Sequence, residues 1–498
     1  MKKKIVWVAV IGLLATGLAL GNVRLPALIG DNMVLQRNAK IVLWGWADPG
    51  EHVGIAFHGE KLKAKTDRAG RWSTFAGPFT AGGPFDLVVT GKNRLELHNV
   101  LIGDVWLASG QSNMEFPLKS EGDFGGVYNA EREIAGASFP QIRLLKVHRK
   151  IALRPAEDVE ADPWTAVTPE TVGSFSAVAY LFGRELHRRY GVPIGLIETN
   201  WGGTVAEAWV SEGSLKSFPE FRQSIESLKR VGEKSAGEEY DQYVKQKASR
   251  DGAKLNSDPN KPTVLFNGMI NPLVQFRIKG IIWYQGEANA MANRSTQYRT
   301  LFPALIEDWR THWGYEVPFL FVQLAGFGPN KPEPAEYPWA DLREAQSMTL
   351  SLPHTGMATA IDIGDEKDIH PKDKQDVAHR LVLAAAKTVY GENLAYSGPV
   401  YQSMAAEGNR IRIKFSQLAS GLLIKDKYGY VRGFEIAGSD GKFVWAQAVK
   451  DGDDIVVFNE AVRQPGAVRY DWSNTPDGNL YNTADLPAIP FRTDAPKH

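Results

Sequence analysis

The chain has 498 residues, long for one domain and sufficient for two or three. Lys plus Arg equals Asp plus Glu at 57 each, so the basic excess that a nucleic-acid or anionic-membrane partner draws on is missing. Cysteine is absent, which excludes disulfides, cysteine-linked lipid, a thiolate nucleophile and cysteine metal sites.

In chain order, Lys2, Lys3 and Lys4 open a basic stretch, and Ile5 to Leu20 is an uncharged apolar run. Ala19-Leu20-Gly21 then puts small residues where a signal peptidase cuts. An export signal over 1–21 is expected, giving a periplasmic or secreted protein with no membrane attachment after cleavage. An uncleaved anchor is the alternative, although the run falls short of the about 20 residues a span needs. Residues 22–100 alternate in the strand manner, with Val53, Ile55 and Phe57 on one face and Leu62 and Ala64 on the next strand. Turns at Pro49-Gly50, Gly59-Glu60 and 67–70 complete a small β-sandwich-like domain.

Residues 101–395 alternate strands with amphipathic helices, the pattern of βαβ units and a parallel sheet. Strands are predicted at 104–108, 194–199, 280–284, 319–324 and 357–362. A helix is predicted over 297–313, because Tyr298, Leu301, Phe302, Leu305, Ile306, Trp309 and Trp313 recur at helical spacing before Gly314. A second helix is expected to start at Pro371, just after His370, and to end at Gly391. The charged segment 212–262 interrupts the pattern as a helical insertion or lid, or as a solvated excursion. Residues 396–498 return to short strands, with Phe434 and Ile436, Phe443 and Trp445, and Ile455 and Val457 turned inward, forming a second β domain.

In an open parallel sheet, sites form at the carboxyl ends of the strands, and the polar clusters of this chain fall there. They are Ser109 to Met114, Asn200 to Thr204, Gln285 to Asn289 and Asp362 to Pro371. A serine hydrolase needs a hydroxyl nucleophile, a base, a carboxylate to orient the base, and oxyanion donors. Ser112, in a glycine-flanked turn, is the candidate nucleophile, and His370 is the candidate base among ten histidines. Asp368 is the candidate third member, with Asp365 and Asp362 as alternatives. The candidate oxyanion donors are the N–H groups of Ser112 and Gly203 and the side-chain amide of Gln285. Glu287 is expected to order this shell. No metal-ligand spacing, P-loop or dinucleotide-binding glycine motif appears, so no metal or cofactor is expected.

These motifs resemble a known family. Gly103-Asp104-Val105-Trp106 through Gly110-Gln111-Ser112-Asn113-Met114-Glu115 is similar to the nucleophile block of the sialate O-acetylesterases, within the SGNH hydrolases. Thr199 to Thr204 resembles its glycine block, 266–270 and 283–289 two further blocks, and Asp368-Ile369-His370-Pro371 its histidine block. The resemblance implies a three-layer α/β/α parallel-sheet domain with accessory β domains at both ends, and metal-free hydrolysis of acetyl esters on a carbohydrate substrate. Two departures stand out. Lys367 occupies the place three residues before the histidine where the general pattern has Asp, and the asparagine donor has no exact counterpart, leaving Gln285, then Asn289. Trp201, Glu287 and Asn289 are expected to bind substrate, and Trp209, Trp283 and Trp339 are further candidates to line a sugar groove. The expected reaction is acyl transfer through an acetyl-enzyme, on a sialate, acetylated xylan or another plant polysaccharide. A carbohydrate-binding protein on an inactive hydrolase scaffold, and a hydrolase of a lipid ester or thioester, are the rival readings.

Overall fold

The longest strand, β1 (Arg94–Gly110), has two textures. Leu95 and Leu97 alternate with exposed Arg94, Glu96 and His98, whereas every residue from Val100 to Gly110 is buried. One-sided burial suits an antiparallel sheet facing water, and continuous burial suits a parallel sheet covered on both faces. Its first half pairs antiparallel with Gly82–Thr90, inside the N-terminal β region. Its second half is the centre of the main sheet, so the predicted strand at 104–108 is the end of a much longer one that crosses the expected boundary at residue 100.

The computed structural model describes residues 22–122, 124–234, 259–291 and 293–495. The expected export signal, and residues 235–258 of the charged segment, lie outside the described residues. Within that segment Glu212–Leu215 and Pro219–Lys234 are helical.

Six further strands complete the main sheet: β2 (Phe139–Lys146), β3 (Thr165–Val167), β4 (Ile194–Asn200), β5 (Gly280–Tyr284), β6 (Phe319–Gln323) and β7 (Thr355–Thr359). Their order is β7-β6-β5-β1-β4-β2-β3, parallel except for β3 at the edge. Helices cover both faces. Trp283 lies across from Ser109, three residues beyond Trp106, and an odd offset along a strand means the opposite face. Trp106 packs on Phe182 of α2 (Ala177–Tyr190), ring centroids 4.9 Å apart. Trp283 packs on Trp309 of α3 (Arg294–Trp313) at 5.6 Å. Helix α4 (Pro338–Met348) lies beside α3, and α5 (Lys374–Thr388) beside α2. The result is the three-layer α/β/α arrangement expected.

At the N-terminal end, Ile41–Trp46 pairs with Arg71–Ala76, and His52–Phe57 with Glu60–Lys65 and Gly82–Thr90. Val53, Ile55 and Phe57 are buried between these layers. At the C-terminal end two four-stranded antiparallel sheets enclose a second core that includes Ile413, Phe434, Ile436, Ile455, Val457 and Val468. Trp445 is a correction. It is 44% exposed and donates its indole N–H to the Pro332 carbonyl at 2.8 Å, bridging to the catalytic region instead of filling the core. No helix among the described residues is long and apolar enough to cross a membrane.

Candidate active site

Strand β1 ends in Gly110, whose φ of +139° and 2.2 Å approach of a would-be Cβ to the Tyr284 carbonyl admit only glycine. Gln111 follows in extended conformation and donates to that same carbonyl at 3.0 Å. The chain then enters a single helical turn, α1 (Ser112–Glu115). The leading N–H groups of a helix have no partner within it, so this turn presents the Ser112 hydroxyl and its own N–H together at the sheet edge.

Across the edge, β7 ends at Thr359, three residues sooner than the sequence pattern indicates, and a short 3₁₀ turn at Ile361–Ile363 follows. The loop runs on to Asp373, which caps α5 by accepting from the Asp376 N–H at 3.0 Å. Pro371 is therefore in the loop and does not start the helix. This loop places His370 Nε2 2.8 Å from Ser112 Oγ. Phe124 meets the imidazole edge-on at 5.2 Å. Burial, aided by the Lys374 charge, holds the His370 imidazole below its ordinary pKa against the opposing pull of Asp368 and Glu115.

Asp368 accepts the backbone N–H of His370 at 2.9 Å, while its carboxylate stands 3.9 Å from Nδ1, at ion-pair and not hydrogen-bond distance. Asp365 accepts from the Lys367 N–H. Asp362 is held by the two terminal guanidinium nitrogens of Arg380, at 2.6 and 2.8 Å, and by the Tyr481 hydroxyl at 3.0 Å. Neither alternative touches the imidazole.

The cleft over this pair has a volume of about 900 Å³, and its walls include Phe124, Gly203, Asn260, Glu287, Met291 and Arg294. Gly203 is left-handed, with φ +73°, and its N–H makes no hydrogen bond among the described residues. The N–H of Gly202 is taken by Glu115 at 2.7 Å. Gln285 is a correction: its amide is fully buried, donating to the Thr204 carbonyl at 3.1 Å and to Asn289 at 2.7 Å while accepting from Tyr298. Asn289 is spent likewise, on the Ala206 N–H and Glu207. These two amides shape the 204–207 loop and stay out of the cleft. Trp201 is also absent from the cleft wall, which Gly202 and Gly203 form at that point. Trp209, Trp283 and Trp339 are core residues.

Glu287 does line the cleft. It accepts from Asn113 Nδ2 at 2.6 Å, and burial pushes its carboxyl pKa up. Asn113, Asn260, Arg149, Arg294 and Lys374 also stand at or behind the cleft, with no motif to assign them a role. Asn260 accepts the Val205 N–H at 2.9 Å. Arg149 pairs with Glu115, and Arg294 with Glu207. Among the described residues no group of three or more His, Asp or Glu is placed to hold a metal.

Residues 102–387 match the family described as carbohydrate esterase, sialic acid-specific acetylesterase. The sialate O-acetylesterases of mouse and human are each 32% identical to this chain over 94% of its length, covering 94% and 92% of those proteins. The chain belongs to this family. It is accordingly a carboxylic ester hydrolase, a carbohydrate acetylesterase of the sialate O-acetylesterase type. A crystal structure of a carbohydrate acetylesterase from Xanthomonas citri is 40% identical and superimposes with a TM-score of 0.83, over 95% of this chain and all of that one.

Proposed function

We propose that this esterase works as a serine hydrolase that removes O-acetyl groups from sugars through an acetyl-enzyme. The observation that carries the reading is the 2.8 Å contact between His370 Nε2 and Ser112 Oγ on the wall of an open cleft. Ser112 Oγ attacks the acetyl carbonyl while its proton passes to His370, and the N–H groups of Ser112 and Gly203 receive the oxyanion. The imidazolium then protonates the departing sugar oxygen, which leaves as an alcohol. Water, deprotonated by the same imidazole, releases acetate and restores Ser112.

Asp368 supports the imidazolium as a nearby charge and fixes the His370 backbone. The substrate is an acetylated carbohydrate, in line with the names of the relatives, and the protein acts after export. The test is acetate release from O-acetylated sialic acid and from acetylated xylan, side by side, with Ser112→Ala and His370→Ala as controls. Each substitution should lower the rate by several orders of magnitude, on the scale of about 10³-fold or more, with the melting temperature kept. Full activity in Ser112→Ala would sink the reading. Release from one substrate alone fixes the sugar class.

A further inference from the structure

Behind the Ser112–His370 pair lies a buried polar chain that runs from Lys374 through Asn113 to Glu287 at the cleft wall. Lys374, on the first turn of α5, is fully buried and donates from Nζ to Asn113 Oδ1 at 2.5 Å. Asn113 Nδ2 donates in turn to Glu287 Oε1 at 2.6 Å and to the Ile369 carbonyl at 3.0 Å. Asn113 follows the nucleophile directly, and Ile369 directly precedes the base. One carboxamide therefore ties the serine turn to the histidine loop, across 256 residues of sequence. Its orientation is dictated: the oxygen must face an obligate donor, Lys374, and the nitrogen must face two acceptors.

We propose that Asn113 and Lys374 are positioning residues that together set the Ser112–His370 geometry, and that the Lys374 ammonium also keeps the imidazole in its basic, uncharged form. This rests on the serine–histidine reading above.

A buried ammonium is costly unless paired and hydrogen-bonded. Here the Phe116 ring lies 4.8 Å from Nζ and the Tyr284 ring 5.4 Å, with Glu287 as counter-charge. Burial still pulls the Lys374 pKa down to about 7, with Glu287, Asp368 and Asp373 pulling it back up. Lys374 is thus charged over the acid range in which His370 titrates. The charges facing His370 are Lys374 from α5, Asp368 from its own loop and Glu115 from α1. Of these Lys374 is the one cation, and its charge adds to burial in opposing imidazolium formation. A lysine kept merely to fill space would leave the pH response of the rate untouched.

The experiment is a pH profile of kcat and KM for acetate release by Lys374→Met, Asn113→Ala and the charge-balanced pair Lys374→Met/Glu287→Gln, each with a thermal melt and with Ser112→Ala alongside. The pair removes both buried charges together, so it remains a test where Lys374→Met alone does not fold. Misplacing reacting groups by about 1 Å costs on the order of 100-fold. Asn113→Ala should therefore lose roughly ten- to a hundredfold in kcat with KM nearly unchanged. In both lysine variants the acid limb of kcat/KM should move to higher pH, because the charge that disfavours imidazolium is gone. A folded variant with an unmoved acid limb, or Asn113→Ala with unchanged kcat, overturns the proposal while an inactive Ser112→Ala leaves the underlying reading in place. An active Ser112→Ala overturns both.

Discussion

At the scale of single residues, the distance between Asp368 and His370 decides how much the third position contributes. A carboxylate hydrogen-bonded to Nδ1 fixes the tautomer, and its loss as the amide costs about 10⁴ in a full triad. Asp368 instead sits 3.9 Å away with its side chain 48% exposed, where a pair is worth about 0.2–1 kcal/mol. Asp368→Asn should therefore lower kcat only a few-fold, and a thousandfold loss on measurement would show that the carboxylate closes onto Nδ1 in the working enzyme. His370 acts as base only when uncharged, and its pKa is depressed. The rate should thus fall as pH drops through a midpoint below the about 6.5 of a free imidazole, read from kcat/KM against pH. Ser112 and His370 were legible in the sequence because each stands in a polar cluster at a strand's carboxyl end. Gln285 and Asn289 stand in such a cluster too, yet they satisfy each other, and no linear pattern reveals that two amides are mutual partners. Lys374 was illegible for the opposite reason: a lysine among Lys372, Asp373 and Gln375 reads as surface, and only the fold buries it.

At the scale of elements, all five predicted strands are present in the main sheet. Strands β4, β5 and β6 coincide with the predicted runs to within a residue, since buried parallel strands are continuous apolar stretches. Strand β2 escaped because Arg143 interrupts its run. That guanidinium is buried and donates to the side chains of Asn32 and Asn99 and to the Pro140 carbonyl. Helix α5 begins at Lys374 and not at Pro371 because Asp373 caps it, leaving His370 in a loop free to reach Ser112. The junction of β1 and α1 is the least forgiving. Gly110→Ala adds a Cβ at 2.2 Å from a backbone oxygen, at a φ that L-residues avoid. Neither backbone can yield without breaking the β1–β5 ladder, so the substitution should cost on the order of 3 kcal/mol or more. A thermal melt within a degree or two of the parent would contradict that placement of the turn.

At the scale of the whole molecule, the C-terminal β region holds the catalytic loops through backbone carbonyls. Arg343 of α4 is fully buried and donates to the carbonyls of Leu324, Ala325, Ser473 and Asn474. The segment it grips reaches on: Asn474 donates to Pro329 and Thr475 to Gly328. Gly328 donates to the Glu366 carbonyl and the Asp365 N–H to Gly326, within the loop that carries His370. Burial pulls the Arg343 pKa down to about 9, a measure of how unwilling the site is to hold charge. Two substitutions follow. Arg343→Lys keeps a charge to bury but loses the planar fork that serves four acceptors, leaving some unpaired at about 1–3 kcal/mol each. Arg343→Met leaves all four carbonyls without this donor, although it no longer buries a charge, which offsets part of the loss. Both should therefore melt below the parent, and both should lose kcat as the histidine loop loosens. Equal melting of Arg343→Lys and the parent would mean that a point charge suffices at this junction, and that the fork geometry does not hold the two regions together.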